Sequence, residues 1–233
     1  MEQKTERIIV AQKLQKFRQD MLIDGIVATA PVVMLSGSFG SGVGELAEKL
    51  SHHARVPFYG PRRLEALSNG QAQTGTVMTD SEGAEEDFFD YWLGYLREGT
   101  TISARDRFLR LSHTIREIAT RGGIIAGVCS HMVLPGKKLL RVRVDAGTQF
   151  CARRLAATRG IQEAEATRAF LQLEGERRQF LNASFAEAFT DSIEYDLVLN
   201  AEQSTLPDML DTCLAAMDRK GMLGKTKKHR SAK

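Results

Sequence analysis

Val32, Val33, Met34 and Leu35 form an apolar run without polar interruption, the pattern of a strand buried on both faces. Leu46, Ala47 and Leu50 then recur at helical spacing, with Glu45, Glu48 and Lys49 on the opposite side, which predicts an amphipathic helix. Upstream, Val10, Leu14, Phe17 and Met21 make an apolar stripe over residues 2–22, and Asp24-Gly25 ends it. Downstream, Val56–Tyr59 reads as a second strand with Pro57 at its start, and Arg62–Leu67 as a helix after the Gly60-Pro61 turn. Residues 68–86 lose all periodicity, and Phe88, Phe89, Tyr91, Trp92, Leu93, Tyr95 and Leu96 then crowd together as the packed helix of an inserted lobe. Phe108, Leu111, Ile115 and Ile118 mark a helix over 104–120, and Ile124–Val128 a buried strand. Leu140, Val142 and Val144 alternate through a fourth strand over 139–144, helices follow at 147–159 and 162–189, Tyr195–Leu199 is a fifth strand, and 204–217 the closing helix.

Strands alternating with helices predict an α/β fold, a three-layer sandwich around a five-strand parallel sheet. The expected organisation is an N-terminal helical extension over 1–30, one domain over 31–218 and a tail over 219–233. Within the domain, about 60–100 forms the inserted lobe and about 147–190 a pair of lid-like helices. The N-terminal stripe must pack on something, either its own domain or, as a homodimer, a second copy of the chain.

Chemistry is most legible between the first strand and its helix. Gly37, Gly40, Gly42 and Gly44 fall within the stretch Gly37-Ser38-Phe39-Gly40-Ser41-Gly42-Val43-Gly44. A strand, glycine-rich turn and helix in that order aim backbone N–H groups and a positive dipole end at a phosphate. The spacing from Gly37 to Gly42 fits the P-loop pattern G-x-x-x-x-G-K-[ST], but Val43 stands at the lysine and Gly44 at the magnesium-binding hydroxyl. Such turns also join strands to helices for packing alone; four glycines within eight residues behind a buried strand favour the phosphate site.

Composition narrows the class. A chain of 233 residues that is 42% hydrophobic and 26% charged suits a globular protein, and no apolar run reaches the ~20 residues of a membrane span. Cys129, Cys151 and Cys213 are few and far apart, as expected of free thiols in a reducing, cytoplasmic setting. The net charge of +3 misleads, because residues 219–233 hold seven basic residues and no acidic one. Without them 25 basic residues face 29 acidic ones, so the basic surface of a nucleic-acid binder is not expected, and the tail reads as a solubilising terminus. His131 near Cys129 lacks a second ligand pair at zinc spacing, so no metal site is assigned.

A loop without its lysine needs positive charge from elsewhere. Arg153, Arg154 and Arg159 on one predicted helix, with Arg177 and Arg178 on the next, are the candidates, since guanidinium binds phosphate bidentately. The plain alternative is a solvated face paired with Glu163, Glu165, Glu174 and Glu176. Asp145, at the end of the fourth strand, is either a carboxylate for magnesium or an N-cap. Arg62, Arg63, Arg105 and Asp106 are weaker candidates for contacting an acceptor.

Phe39-Gly-Ser-Gly-Val-Gly-Glu-Leu-Ala-Glu-Lys-Leu50 followed by Val56-Pro-Phe-Tyr59 resembles the cytidylate kinase-like family of P-loop proteins, which commonly reads F-G-S-G-G-R-E-I-A-E-x-L and then I-P-F-Y-D. The resemblance continues through Ile115–Gly122 and the strand after it, Arg153–Glu165 and Tyr195–Asn200, so it covers most of 32–217. It implies a nucleoside monophosphate kinase fold with an arginine-bearing lid, ATP with its Mg2+ as phosphoryl donor, and CMP or a similar monophosphate as acceptor. This chain differs from the family at Val43 and Gly44, at Gly60 where the family has Asp, and at Gly127-Val-Cys-Ser130, which lacks the family's arginine. Two functions therefore stand: a phosphotransferase, and a nucleotide-binding protein without turnover that senses or assembles.

Overall fold

The computed structural model describes residues 28, 30–70, 104–127, 138–185 and 195–223, with the backbone alone for 104–109 and 180–185. The N-terminal stripe, most of the inserted lobe, Cys129, His131 and the end of the basic tail lie outside the described residues.

Five strands form the sheet: β1 (Val32–Gly37), β2 (Phe58–Tyr59), β3 (Gly123–Ala126), β4 (Leu139–Asp145) and β5 (Leu197–Asn200). The helices are α1 (Val43–Ala54), α2 (Pro61–Ser68), α3 (Ala104–Arg121), α4 (Thr148–Arg159), α5 (Glu163–Phe185) and α6 (Leu206–Arg219). Within the described residues each expected element is present, with ends moved by a few residues; the expected helix over 2–22 and the aromatic helix around 88–96 lie outside them. The second strand is the largest change, shortened to Phe58–Tyr59.

All strand pairs are parallel, in the order β2-β3-β1-β4-β5. The chain therefore fills one side of β1 with β2 and β3 and the other with β4 and β5. This reversal opens a crevice at the carboxyl end of β1, where such sheets bind ligands. All six residues of β1 are buried, as a central strand covered on both faces requires.

One face of the sheet presents Val33, Leu35, Ile124, Leu140, Val142 and Val144 to a continuous core. Leu46 and Leu50 of α1, Leu155 of α4, Phe170 and Leu173 of α5, and Met209 and Cys213 of α6 complete it. Burying each large aliphatic side chain contributes roughly 1.5–3 kcal/mol, so the helices flanking the crevice are held by the same core as the strands. Cys213 illustrates the dryness of that core: burial pushes its thiol up to about 12.

Candidate functional site

The turn from Ser38 to Gly42 leaves β1 at the crevice. Its course is built on backbone. Ser38 N–H donates to Val144 O of β4 at 3.4 Å, and Ser41 N–H donates to Ser38 O at 3.1 Å. Gly40 has φ +76°, and a Cβ there would lie 2.7 Å from Cys151 O in the first turn of α4; only glycine meets both constraints. Gly42, at φ 86°, is the N-cap of α1 and brings no side chain to it. The N-terminus of α1 thus faces the crevice with its positive dipole end.

The two letters that depart from the P-loop pattern have clear physical roles. Val43 is fully buried in the core beneath the loop, and Gly44 is buried in the first turn of α1. Neither position presents a cation or a hydroxyl to a ligand.

Arg154 of α4 brings a guanidinium to the loop from across the crevice. Its Nη2 donates to Glu45 Oε1 of α1 at 2.9 Å, and the same Nη2 lies 3.3 Å from where a Cβ on Gly42 would be. The guanidinium is therefore seated over the mouth of the loop. Arg153 is exposed, while Arg159 is half-buried in the last turn of α4, five residues and about 7.5 Å farther along the axis. Of the three arginines expected to act together, Arg154 alone is placed against the loop by these contacts.

A cavity of about 290 Å³ opens beside this pair. Ser41, Gly42, Glu45, Phe150 and Arg154 form one wall, and the segment from Ala201 to Leu206 after β5 forms the other. Ser41 Oγ is buried beneath the loop, 2.7 Å from where a Cβ on Gly37 would be, and has no hydrogen-bond partner among the described residues.

A second charged pair reaches the loop from α5. Glu174 Oε1 accepts the Phe39 N–H at 3.1 Å, and Glu174 Oε2 accepts from Arg177 Nη2 at 2.6 Å and Nε at 3.0 Å. The acidic partner expected on a solvated helix face is instead turned inward onto the loop.

Other expected residues are engaged elsewhere. Asp145 is not an N-cap, since α4 is capped by Gly147 without a side-chain bond. Its carboxylate instead takes Arg143 Nε on both oxygens, at 2.8 and 2.7 Å. Burial opposes the Arg143 charge, but the bonds and charge of Asp145, with Tyr195 beside it, leave the guanidinium raised above its ordinary value. Arg63 Nη1 donates to Phe58 O at 2.7 Å, and its guanidinium lies 4.7 Å from the Tyr59 ring centre, which makes it a brace for β2. Arg62 is exposed on α2. Arg105 and Asp106 fall in the first turn of α3, with side chains outside the described residues.

Glu45, Phe150, Glu174 and the Ala201–Leu206 segment were not among the sequence candidates. Glu45 reads as the polar face of a helix, and nothing in the sequence says that the turn after β5 returns to the loop.

The model of the cytidylate kinase-like family matches residues 32–203. A crystal structure of an uncharacterized protein from Eubacterium ventriosum aligns at TM-score 0.61 with 17% identity, covering 82% of this chain and 99% of that one. A shikimate kinase from Bacteroides thetaiotaomicron aligns at TM-score 0.42 with 14% identity, covering 81% of this chain and 98% of that one. No curated protein matches the chain significantly.

Proposed function

Because the chain belongs to the cytidylate kinase-like family, we propose that it is a nucleotide kinase that transfers a phosphoryl group from ATP to a nucleoside monophosphate, CMP or a close relative. The observation that carries this reading is the junction of the backbone loop, Arg154 and the cavity beside them. The N–H groups of Gly40 to Gly44 and the dipole of α1 would hold the donor phosphates. The cavity would take the nucleoside, with the half-buried Phe150 ring as a stacking surface and carbonyl groups of the Ala201–Ser204 segment as polar contacts.

Phosphoryl transfer asks for positioning and charge neutralisation more than for covalent help. As the bond between the γ-phosphorus and its bridging oxygen breaks, an acceptor phosphate oxygen forms the new bond, yielding ADP and a nucleoside diphosphate. Arg154 would stabilise the charge spreading over the transferring group, the role left vacant by Val43. Its change of partner from Glu45 to phosphate exchanges one charge-assisted hydrogen bond for another. Magnesium finds a poor donor set in the chain itself, since Gly44 replaces the hydroxyl and Asp145 is spent on Arg143. The ion would therefore be carried chiefly by nucleotide phosphates.

Steady-state assay of the purified chain with ATP and a panel of monophosphates tests the proposal. The expected result is stoichiometric ADP and nucleoside diphosphate, with CMP among the better acceptors. The second reading, binding without turnover, is favoured by Val43 and Gly44; measurable ATP affinity with no product from any acceptor would establish it in place of the first.

A further inference from the structure

Glu174 occupies a position that an enzyme built only to attract phosphate would avoid. It stands on α5, 135 residues from the loop in sequence, yet its carboxylate accepts a loop N–H from Phe39. Glu174 and Arg177 lie three apart on one helix, a spacing that normally leaves both charges in water. Here both side chains are only 15% exposed. The carboxylate is shared, one oxygen on the loop and the other on Arg177, so the loop meets a resident anion that carries its own cation.

We propose that Glu174 is an internal competitor for the phosphate loop, and that an incoming polyphosphate displaces it and takes over Arg177. The inference rests on the proposed nucleotide site and adds to it a built-in control of affinity. An ATP polyphosphate and a carboxylate on the same short stretch of N–H groups repel, and in a half-buried site the repulsion is only partly screened. The same approach draws Arg177 toward phosphate, because a guanidinium fork fits phosphate as well as it fits carboxylate. Release needs only a side-chain rotation on α5, a helix otherwise anchored by Phe170 and Leu173 in the core. The substitution Glu174→Gln separates charge from shape: its amide oxygen still accepts the Phe39 N–H, but the anion is gone.

The test is calorimetric titration of the full chain, as wild type, E174Q and R177Q, with ATP, inorganic tripolyphosphate and adenosine. E174Q is expected to bind ATP and tripolyphosphate about tenfold more tightly than wild type, and R177Q about tenfold more weakly. Adenosine affinity should stay the same in all three, which a general loosening of the loop would not give. Thermal unfolding checks that each variant is folded, and Glu174→Ala, with the same expected direction, is titrated alongside E174Q. ATP binding to wild type with equal or weaker binding to both Glu174 variants overturns the inference and leaves the nucleotide site standing. Binding to E174Q alone supports it. Failure of wild type and both Glu174 variants to bind ATP removes the nucleotide reading and the inference together.

Discussion

Arg154 has two contacts that define its role: Glu45 at 2.9 Å, and a position over Gly42 that a Cβ would crowd. A surface pair of this kind contributes little to stability, about 0–1 kcal/mol, because both side chains remain partly in water. Its worth lies in aiming the guanidinium at the loop. Arg154→Met, which keeps the stem and removes the charge, is therefore expected to shift the melting temperature little. The same substitution should lower kcat for phosphoryl transfer about a hundredfold, the scale of losing one preorganised charge contact to a developing anion. Arg154→Lys is expected to recover only a small part, since a point charge replaces a fork. A rate unchanged by Arg154→Met would move the transfer chemistry to another cation. Arg154 was legible as a candidate from its helix and its family resemblance. Its distinction from Arg153 was not, because neighbouring residues on a helix point about 100° apart and only packing decides which of them faces inward.

Among the elements, α6 shows how a local signal survives intact into the fold. Thr205 and Asp208 flank its first turn, and each side chain bonds the other's backbone N–H in a reciprocal cap. The bonds from Thr205 hold the Asp208 carboxylate below its ordinary value of 3.8. A carboxylate depressed by folding gives stability that is complete above its unfolded pKa and is lost as pH falls through the folded one. Between about pH 5 and pH 3, the wild-type melting temperature should therefore fall more steeply than that of Asp208→Asn, with the two slopes parallel near neutrality. Melts followed by circular dichroism across that range measure it, and parallel slopes throughout would show the cap to be independent of charge. Because α6 follows directly on the Ala201–Thr205 wall of the cavity, this cap also fixes where that wall stands. The strand-turn-helix around Gly37–Gly44 was equally readable, since glycine spacing and the switch of hydrophobic period are local. The turn after β5 carried no such signal.

For the molecule as a whole, one core supports both the sheet and the helices, while the charged groups lie partly exposed at its edge, so a core change is expected to alter stability more than the site. Leu140 is fully buried in β4 and joins that core. Leu140→Ala is expected to cost about 2–5 kcal/mol from the lost burial and the cavity it leaves. Saturating ATP should still raise the stability of this variant as much as that of wild type, about 2.7 kcal/mol at a hundred times the dissociation constant. Thermal shift with and without ATP checks both numbers at once. A ligand response lost in Leu140→Ala would mean that the site depends on core packing rather than on the loop and its flanking charges.

The sequence by itself determined the alternation of strands and helices, the glycine turn and the absence of its lysine and hydroxyl, because each is written in contiguous residues. It also carried the family, through motifs whose order spans most of the chain. Only the tertiary structure decided that Glu45 meets Arg154, that Arg143 claims Asp145, and that Glu174 reaches Phe39 from 135 residues away. Hydrophobic period fixes which face of an element is buried, but not which polar side chain at the edge of that face meets another element. That choice depends on strand order and on how the helices settle against one shared core, and it is there that Arg154 and Glu174 come to the loop.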